Sequence, residues 1–184
     1  VGSNNINYLK PNGQFGTRML GGKDSASPRY IFTQLNNITF KLFNSSDFPL
    51  LRYNDEDGLS IEPKWYLPIL PTVLINGTQG IGTGYSSNIP NFNPLDIIKA
   101  IKSKLQNKSY PSPTPWYRNF KGTITPLLNN RYQSKGIWKK IGSDRIQVTE
   151  LPIGTWTEDY KQFLETLLID KQKPNSKQVL LSFD

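Results

Sequence analysis

Apolar residues recur at Ile31, Leu35, Ile38 and Leu42, a spacing of i, i+4, i+7 and i+11 that predicts one buried face of a four-turn helix. Ser27-Pro28 supplies its opening signal, with serine as N-cap and proline at the first helical position. Asn93-Pro94 opens a second predicted helix, running to about Leu105, that buries Leu95, Ile98, Ile101 and Leu105 and exposes its lysines. A third, from about Thr157 to Ile169, buries Phe163, Leu164, Leu167 and Leu168. Val73 to Ile75 reads as a short buried strand, and Pro63, Pro68 and Pro71 cut the stretch around it into extended pieces. Short runs at 121–127, 131–134, 136–141 and 145–151, separated by turn residues, predict an antiparallel meander. Residues up to about Gly22 read as loop, Pro111, Pro113 and Pro115 as a rigid link, and Val179 to Phe183 as a strand cut short. No internal repeat is found. The pattern is that of an α+β protein.

Composition changes this picture mainly by exclusion. The chain has 184 residues, enough for one or two domains with a core, and contains no cysteine and no histidine. Disulfide scaffolds, Cys/His zinc sites, Ser-His-Asp triads and Cys-His dyads cannot be built from it alone. A nucleophile must be Ser, Thr, Tyr, Lys or a carboxylate. No apolar run approaches the ~18 residues needed to span a bilayer, so no membrane partner is expected. The chain has no leader pattern and no initiator Met, and is expected to be processed or excised from a longer protein. Absent cysteine favours a reducing compartment, and the four Asn-x-Ser/Thr sites at Asn37, Asn44, Asn76 and Asn107 read as chance in an Asn-rich chain.

The net charge of +8 is unevenly placed. Residues 1–92 hold 7 basic and 6 acidic side chains, whereas 93–184 hold 15 and 8. Between Lys99 and Arg145 stand eleven basic residues, Lys99, Lys102, Lys104, Lys108, Arg118, Lys121, Arg131, Lys135, Lys139, Lys140 and Arg145, against the single acid Asp144. Interleaved with Tyr110, Trp116, Tyr117, Phe120, Tyr132 and Trp138, they form either a surface facing a polyanion or a solvated lysine face.

Two clusters carry candidate chemistry. The first runs Gly22-Lys23-Asp24-Ser25-Ala26-Ser27-Pro28-Arg29-Tyr30. With Ser27 as N-cap, Arg29 and Tyr30 fall in the first helical turn, where free N–H groups and the helix dipole favour a phosphate, and Lys23 adds charge. Tyr30 is either a nucleophile in an electropositive pocket or one of nine tyrosines that pack. The second cluster, Asn76-Gly77-Thr78-Gln79-Gly80-Ile81-Gly82-Thr83-Gly84, fits neither a P-loop nor a dinucleotide fingerprint. Ile81 between Gly80 and Gly82 either turns inward or stands on a DNA-facing loop as a wedge between base steps.

In this order the two clusters resemble the breakage–reunion core of eukaryotic type IIA DNA topoisomerase, topoisomerase II. The resemblance is carried by Val1-Gly2-Ser3-Asn4-Asn5, Gly13-Gln14-Phe15-Gly16-Thr17-Arg18, residues 21–32, Glu62-Pro63-Lys64-Trp65-Tyr66-Leu67-Pro68-Ile69-Leu70-Pro71 and residues 73–84. Ile89-Pro90-Asn91-Phe92, residues 119–124 and Glu150-Leu151-Pro152-Ile153-Gly154-Thr155-Trp156-Thr157 extend it along nearly the whole chain. It implies that Tyr30 attacks a DNA phosphodiester to form a 5′-phosphotyrosyl link, that Arg29 contacts the scissile phosphate, and that Ile81 bends the cleaved duplex. It implies that residues 1–70 end a winged-helix domain and that 71–184 form most of a tower domain, helices with an antiparallel sheet. Lys23, Ser27, Gly80, Gly82, Lys99, Lys102 and Lys121 are expected to contact DNA.

The same resemblance implies an ATP-hydrolysing isomerase, a homodimer acting on double-stranded DNA in the nucleus, or in viral or host cytoplasm for a viral protein. It implies Mg²⁺ and ATP bound by domains outside this chain. Asp55-Glu56-Asp57 lacks the family's metal motif and reads as a solvated turn, so no metal ligand is expected here and the 184 residues alone are expected to be inactive. The competing functions are a non-catalytic DNA-binding and DNA-bending module, and a structural or protein-interaction domain whose charge serves solubility.

Overall fold

Hairpins dominate the architecture. The computed structural model describes residues 4–168 and 180–183, and the fold is α+β. In chain order the elements are α1 (Asn37–Leu42), β1 (Tyr53–Glu56), β2 (Leu59–Pro63), α2 (Thr72–Ile75), β3 (Thr78–Gly82) and β4 (Tyr85–Ile89). They continue with α3 (Pro94–Leu105), β5 (Thr123–Pro126), β6 (Tyr132–Lys135), β7 (Ile137–Ile141), β8 (Arg145–Glu150) and α4 (Thr157–Thr166). Each consecutive pair of strands makes its own two-stranded antiparallel sheet. The chain separates into two compact units that interleave in sequence, one of residues 4–13 and 32–119, the other of 14–31 and the described residues from 120 onward.

The first unit is built on a small core. Ile75, Phe92 and Ile97 are buried, with Ile6, Leu70, Leu74 and Ile101 packed around them. Asn5 ties this core together: its amide lies 2.9–3.0 Å from the carbonyls of Ile75, Phe92 and Trp116, and its Oδ1 accepts the Arg118 N–H at 2.8 Å. Asn76 extends the tie by bonding Ile6 both ways, at 2.9 Å each. Leaving such buried groups unpaired would cost about 1–3 kcal/mol apiece.

The predicted helix over Ile31–Leu42 does not form as such. Residues 31–36 are extended because a strand-like partner is available: Lys10 N–H donates to Gln34 O at 2.9 Å, Asn36 N–H to Tyr8 O at 2.7 Å, and Leu9 bridges Leu35. Pairing with residues 8–10 overrides the helical period, and the β-branched Ile31 and Thr33 suit it. Only the last stretch is helical, as α1. The predicted strand at Val73–Ile75 is instead the single turn α2, with Pro71 at its N-cap. A three-residue apolar run lacks the length to separate the two states.

The second predicted helix is present as α3, capped by Asn93, whose Oδ1 accepts the Leu95 N–H at 2.9 Å. Its buried face is different, however. Ile97 is buried and Ile98 and Ile101 are half-buried, while Leu95 and Leu105 are exposed. Two apolar stripes share this helix, and the one that meets Ile75 and Phe92 wins.

In the second unit the expected meander resolves into two hairpins, β5–β6 and β7–β8. Asn129 and Asn130 take positive φ in the first turn and Gly142 in the second, which suits these residue types. The third helix, α4, ends at Thr166, with Phe163 exposed and Leu164, Leu167 and Leu168 half-buried. Of the predicted last strand, Val179 lies outside the described residues; Leu180 makes one parallel bridge to Leu168, and Leu181 to Phe183 are not in a strand. No helix among the described residues is long and apolar enough to cross a membrane.

Candidate functional site

Residues 14–31 form a loop closed on itself by one carboxylate. Asp24 accepts from Thr17 N–H at 2.8 Å, from Thr17 Oγ1 at 2.8 Å and from Gln14 Nε2 at 3.3 Å. The bond from the Thr17 N–H and that from its hydroxyl hold the Asp24 carboxyl below its ordinary value. A carboxyl lowered on folding contributes stability at neutral pH and loses it as pH falls through its folded value. The loop is therefore expected to keep its shape at neutral pH and to loosen only in acid below the ordinary carboxylate range, as read by amide exchange of Thr17. Loosening already near neutral pH would contradict this. Gly16, at φ +90°, makes the closure possible, since a Cβ there would sit 2.6 Å from Gly22 Cα.

The closed loop is clipped to the rest of its unit. Arg18 forms an ion pair with Glu150 and donates to Leu151 O at 3.3 Å. The Glu158 N–H donates to Met19 O at 3.0 Å, and Lys23 lies 3.8 Å from Asp159. Gly21, at φ +60°, lies so close under Trp156 that a Cβ would meet the indole nitrogen at 2.4 Å. Arg18, Glu150, Trp156 and Asp24 stand in the quoted motif runs, but sequence reasoning gave none of them a role. Arg18 and Glu150 stand 132 positions apart, beyond any local pattern.

At the end of this loop Pro28–Tyr30 forms one 3-10 turn, closed by Tyr30 N–H to Ser27 O at 2.9 Å. This corrects the expectation of a long helix with an anion site at its start. Ser27 occupies the N-cap but makes no side-chain cap bond, and a single turn aligns too few peptides for a substantial dipole. What remains is side-chain charge. Tyr30 is 67% exposed, and the Arg29 guanidinium carbon lies 5.0 Å from its ring centroid. The packed alternative for Tyr30 is excluded by that exposure. Tyr117, by contrast, is part-buried, and burial pushes its phenol up, opposite to what a nucleophile needs.

Ile81 lies in the first unit, on β3 of the β3–β4 hairpin rather than on a loop. It pairs across with Ser86 and is 91% exposed, so the inward-packing alternative does not hold. A Cβ added at Gly80 or Gly82 would meet no atom within 4 Å. Nothing in this fold requires those glycines, which leave bare backbone beside the isoleucine.

The eleven basic residues divide between the units. Lys99, Lys102, Lys104, Lys108 and Arg118 lie in the first; Lys121, Arg131, Lys135, Lys139, Lys140 and Arg145 in the second. All eleven are exposed on the chain surface, and Lys99 is paired with Asp96 at 3.4 Å. The Lys121 backbone N–H is bonded to Glu150 Oε2 at 3.3 Å, leaving its ammonium outward. Among the described residues, no group of three or more Asp/Glu side chains is placed to hold a metal ion.

The family model for the A subunit of DNA gyrase/topoisomerase IV matches residues 1–179. The chain belongs to this family. It is 52% identical over 172 residues to DNA topoisomerase 2 of Plasmodium falciparum, covering 94% of this chain and 12% of that protein. It is 52% identical over 178 residues to DNA topoisomerase 2 of Arabidopsis thaliana, covering 95% and 12%. The chain thus spans about an eighth of the curated relatives it matches. The solved structure of the Plasmodium falciparum topoisomerase II DNA-binding, cleavage and re-ligation domain superimposes with a TM-score of 0.86 at 51% identity, covering 95% of this chain and 24% of that one. The topoisomerase II resemblance carried by the sequence motifs, and the α+β fold it implies, are borne out.

Proposed function

We propose that this chain is the nucleophile-bearing segment of a type II DNA topoisomerase, with Tyr30 as the attacking residue. The observation that carries this reading is the exposed Tyr30 phenol, set beside Arg29 at the end of a loop fixed by Asp24 and Arg18. Such a phenol is held where a duplex can reach it. The phenolic oxygen attacks a backbone phosphorus, forming a P–O bond to Tyr30 and breaking the P–O3′ bond. The 3′-oxygen leaves and takes up a proton, while the phenol proton passes to water or to a base outside the chain, there being no histidine. One phosphodiester replaces another, so the link stores the bond for religation. Arg29 neutralises charge growing on the phosphoryl oxygens.

In this reading residues 1–70 belong to a winged-helix domain and 71–184 to a tower domain whose basic residues follow the duplex. Mg²⁺ would stabilise charge on the attacking or leaving oxygen, and ATP hydrolysis would drive passage of a second duplex. Among the described residues no acidic cluster fits a Mg²⁺ site, and this reading gives both Mg²⁺ and ATP to other parts of a homodimeric nuclear enzyme. The test is covalent capture. The full-length protein should form a protein–DNA adduct with duplex, and the 184 residues alone should form none even with Mg²⁺. No adduct in the full-length protein would overturn the reading.

A second reading, DNA bending without chemistry, is favoured by the outward Ile81 with bare glycine on either side. Both readings use Ile81 as a wedge. Unstacking a base step costs a few kcal/mol that the inserted side chain must offset. Ile81→Ala is therefore expected to reduce the bend, read by fluorescence transfer between the duplex ends, and to weaken bent-duplex binding about tenfold or more. An unchanged bend would rule out the wedge.

A further inference from the structure

Glu150 is the one buried carboxylate among the described residues, and it touches three things at once. It is the last residue of β8, whose hairpin carries Lys139, Lys140 and Arg145. Its Oε2 accepts the Lys121 N–H at 3.3 Å, at the root of the β5–β6 hairpin with Lys121, Arg131 and Lys135. Its Oε1 pairs with Arg18 of the loop that ends in Tyr30. The convergence is tight, since a Cβ on Gly136, between β6 and β7, would lie 2.0 Å from Glu150 O.

With Glu150 buried and Arg18 half exposed, the pair gives little net stability, because solvent screens the arginine and desolvation of the carboxylate offsets the attraction. What this pair does supply is connection. A surface duplex pulling on either basic hairpin acts on the backbone that holds Glu150, and Glu150 holds the loop. We infer that Glu150 and Arg18 are positioning residues that link occupancy of the two basic hairpins by DNA arms to placement of the Tyr30 loop. The inference rests on the reading of Tyr30 as nucleophile. Neither side chain touches the reacting atoms; each acts through the loop.

The experiment compares two duplexes in the full-length protein, one ending just outside the cleavage site and one extended on both sides over the hairpins. Wild-type protein is expected to form about tenfold more Tyr30 adduct on the extended duplex, within the usual range of coupling between sites. In Glu150→Gln and in Arg18→Met that ratio should fall below about twofold, and Arg18→Lys should recover part of it. Arg18→Met leaves the bond from Glu150 to Lys121 intact, so it decides the matter if Glu150→Gln fails to fold. A merely structural pair would lower adduct on both duplexes alike and keep the ratio, which would overturn the inference. A wild-type ratio near one would overturn it as well. Absence of any wild-type adduct at Tyr30 would instead overturn the reading beneath it, and the inference with it.

Discussion

Tyr30→Phe is expected to abolish DNA cleavage in the full-length protein, with adduct falling by at least about a thousandfold, the scale on which loss of an essential nucleophile acts. The substitution removes one exposed hydroxyl and leaves the ring under Arg29, so neither the 3-10 turn nor the loop behind it loses a packing contact. Duplex affinity should stay within about twofold of wild type, because it is set by phosphate contacts to the basic residues. Cleavage and binding are thus predicted to separate completely at this position. Retained cleavage would mean that another hydroxyl attacks.

Gly21→Ala is expected to have the next largest effect, at a position remote from any reacting atom. Two costs add there. The φ of +60° costs an L-residue about 1–2 kcal/mol. A Cβ would also lie 2.4, 2.5 and 2.6 Å from three atoms of the Trp156 indole, so the loop or the ring must move. A displacement of about an ångström at the reacting group is enough to lower a rate about a hundredfold. Adduct should fall by at least that factor, while the duplex affinity carried by the hairpins falls far less. Gly58→Ala, in the β1–β2 turn, provides the control, with φ +80° but no atom within 4 Å of the added Cβ. It should show the backbone cost alone, and equal effects of the two substitutions would refute the role given to Trp156.

What could be read from sequence depended on how local the deciding contact was. The β5–β6 and β7–β8 hairpins and the Asn93-Pro94 start of α3 were legible because turn and cap chemistry lies within a few residues of what it controls. The helix expected over Ile31–Leu42 failed because its competitor, the segment around Leu9, lies more than twenty positions away. Tyr30, Arg29 and Ile81 stood out in two local clusters and took their expected roles from the family resemblance; the structure adds that all three are exposed on this chain. The scaffold beneath Tyr30 was not legible. Gly21 under Trp156 and Arg18 on Glu150 are long-range contacts; all four residues stand in motif runs of the resemblance, but no local spacing pairs them. The glycines are instructive in this respect. Gly16 and Gly21 are demanded by close approach inside the fold, whereas Gly80 and Gly82 are demanded by nothing in it.

Whether Tyr30 carries the bond through which DNA is broken can be read from a single peptide. Covalent complex trapped from the full-length protein on duplex DNA is digested with nuclease and protease, and the peptide bearing the nucleotide is sequenced by mass spectrometry. A 5′-phosphate-linked nucleotide is expected on the Tyr30 phenolic oxygen. A nucleotide on any other residue, or one joined to Tyr30 through its 3′-phosphate, would contradict it.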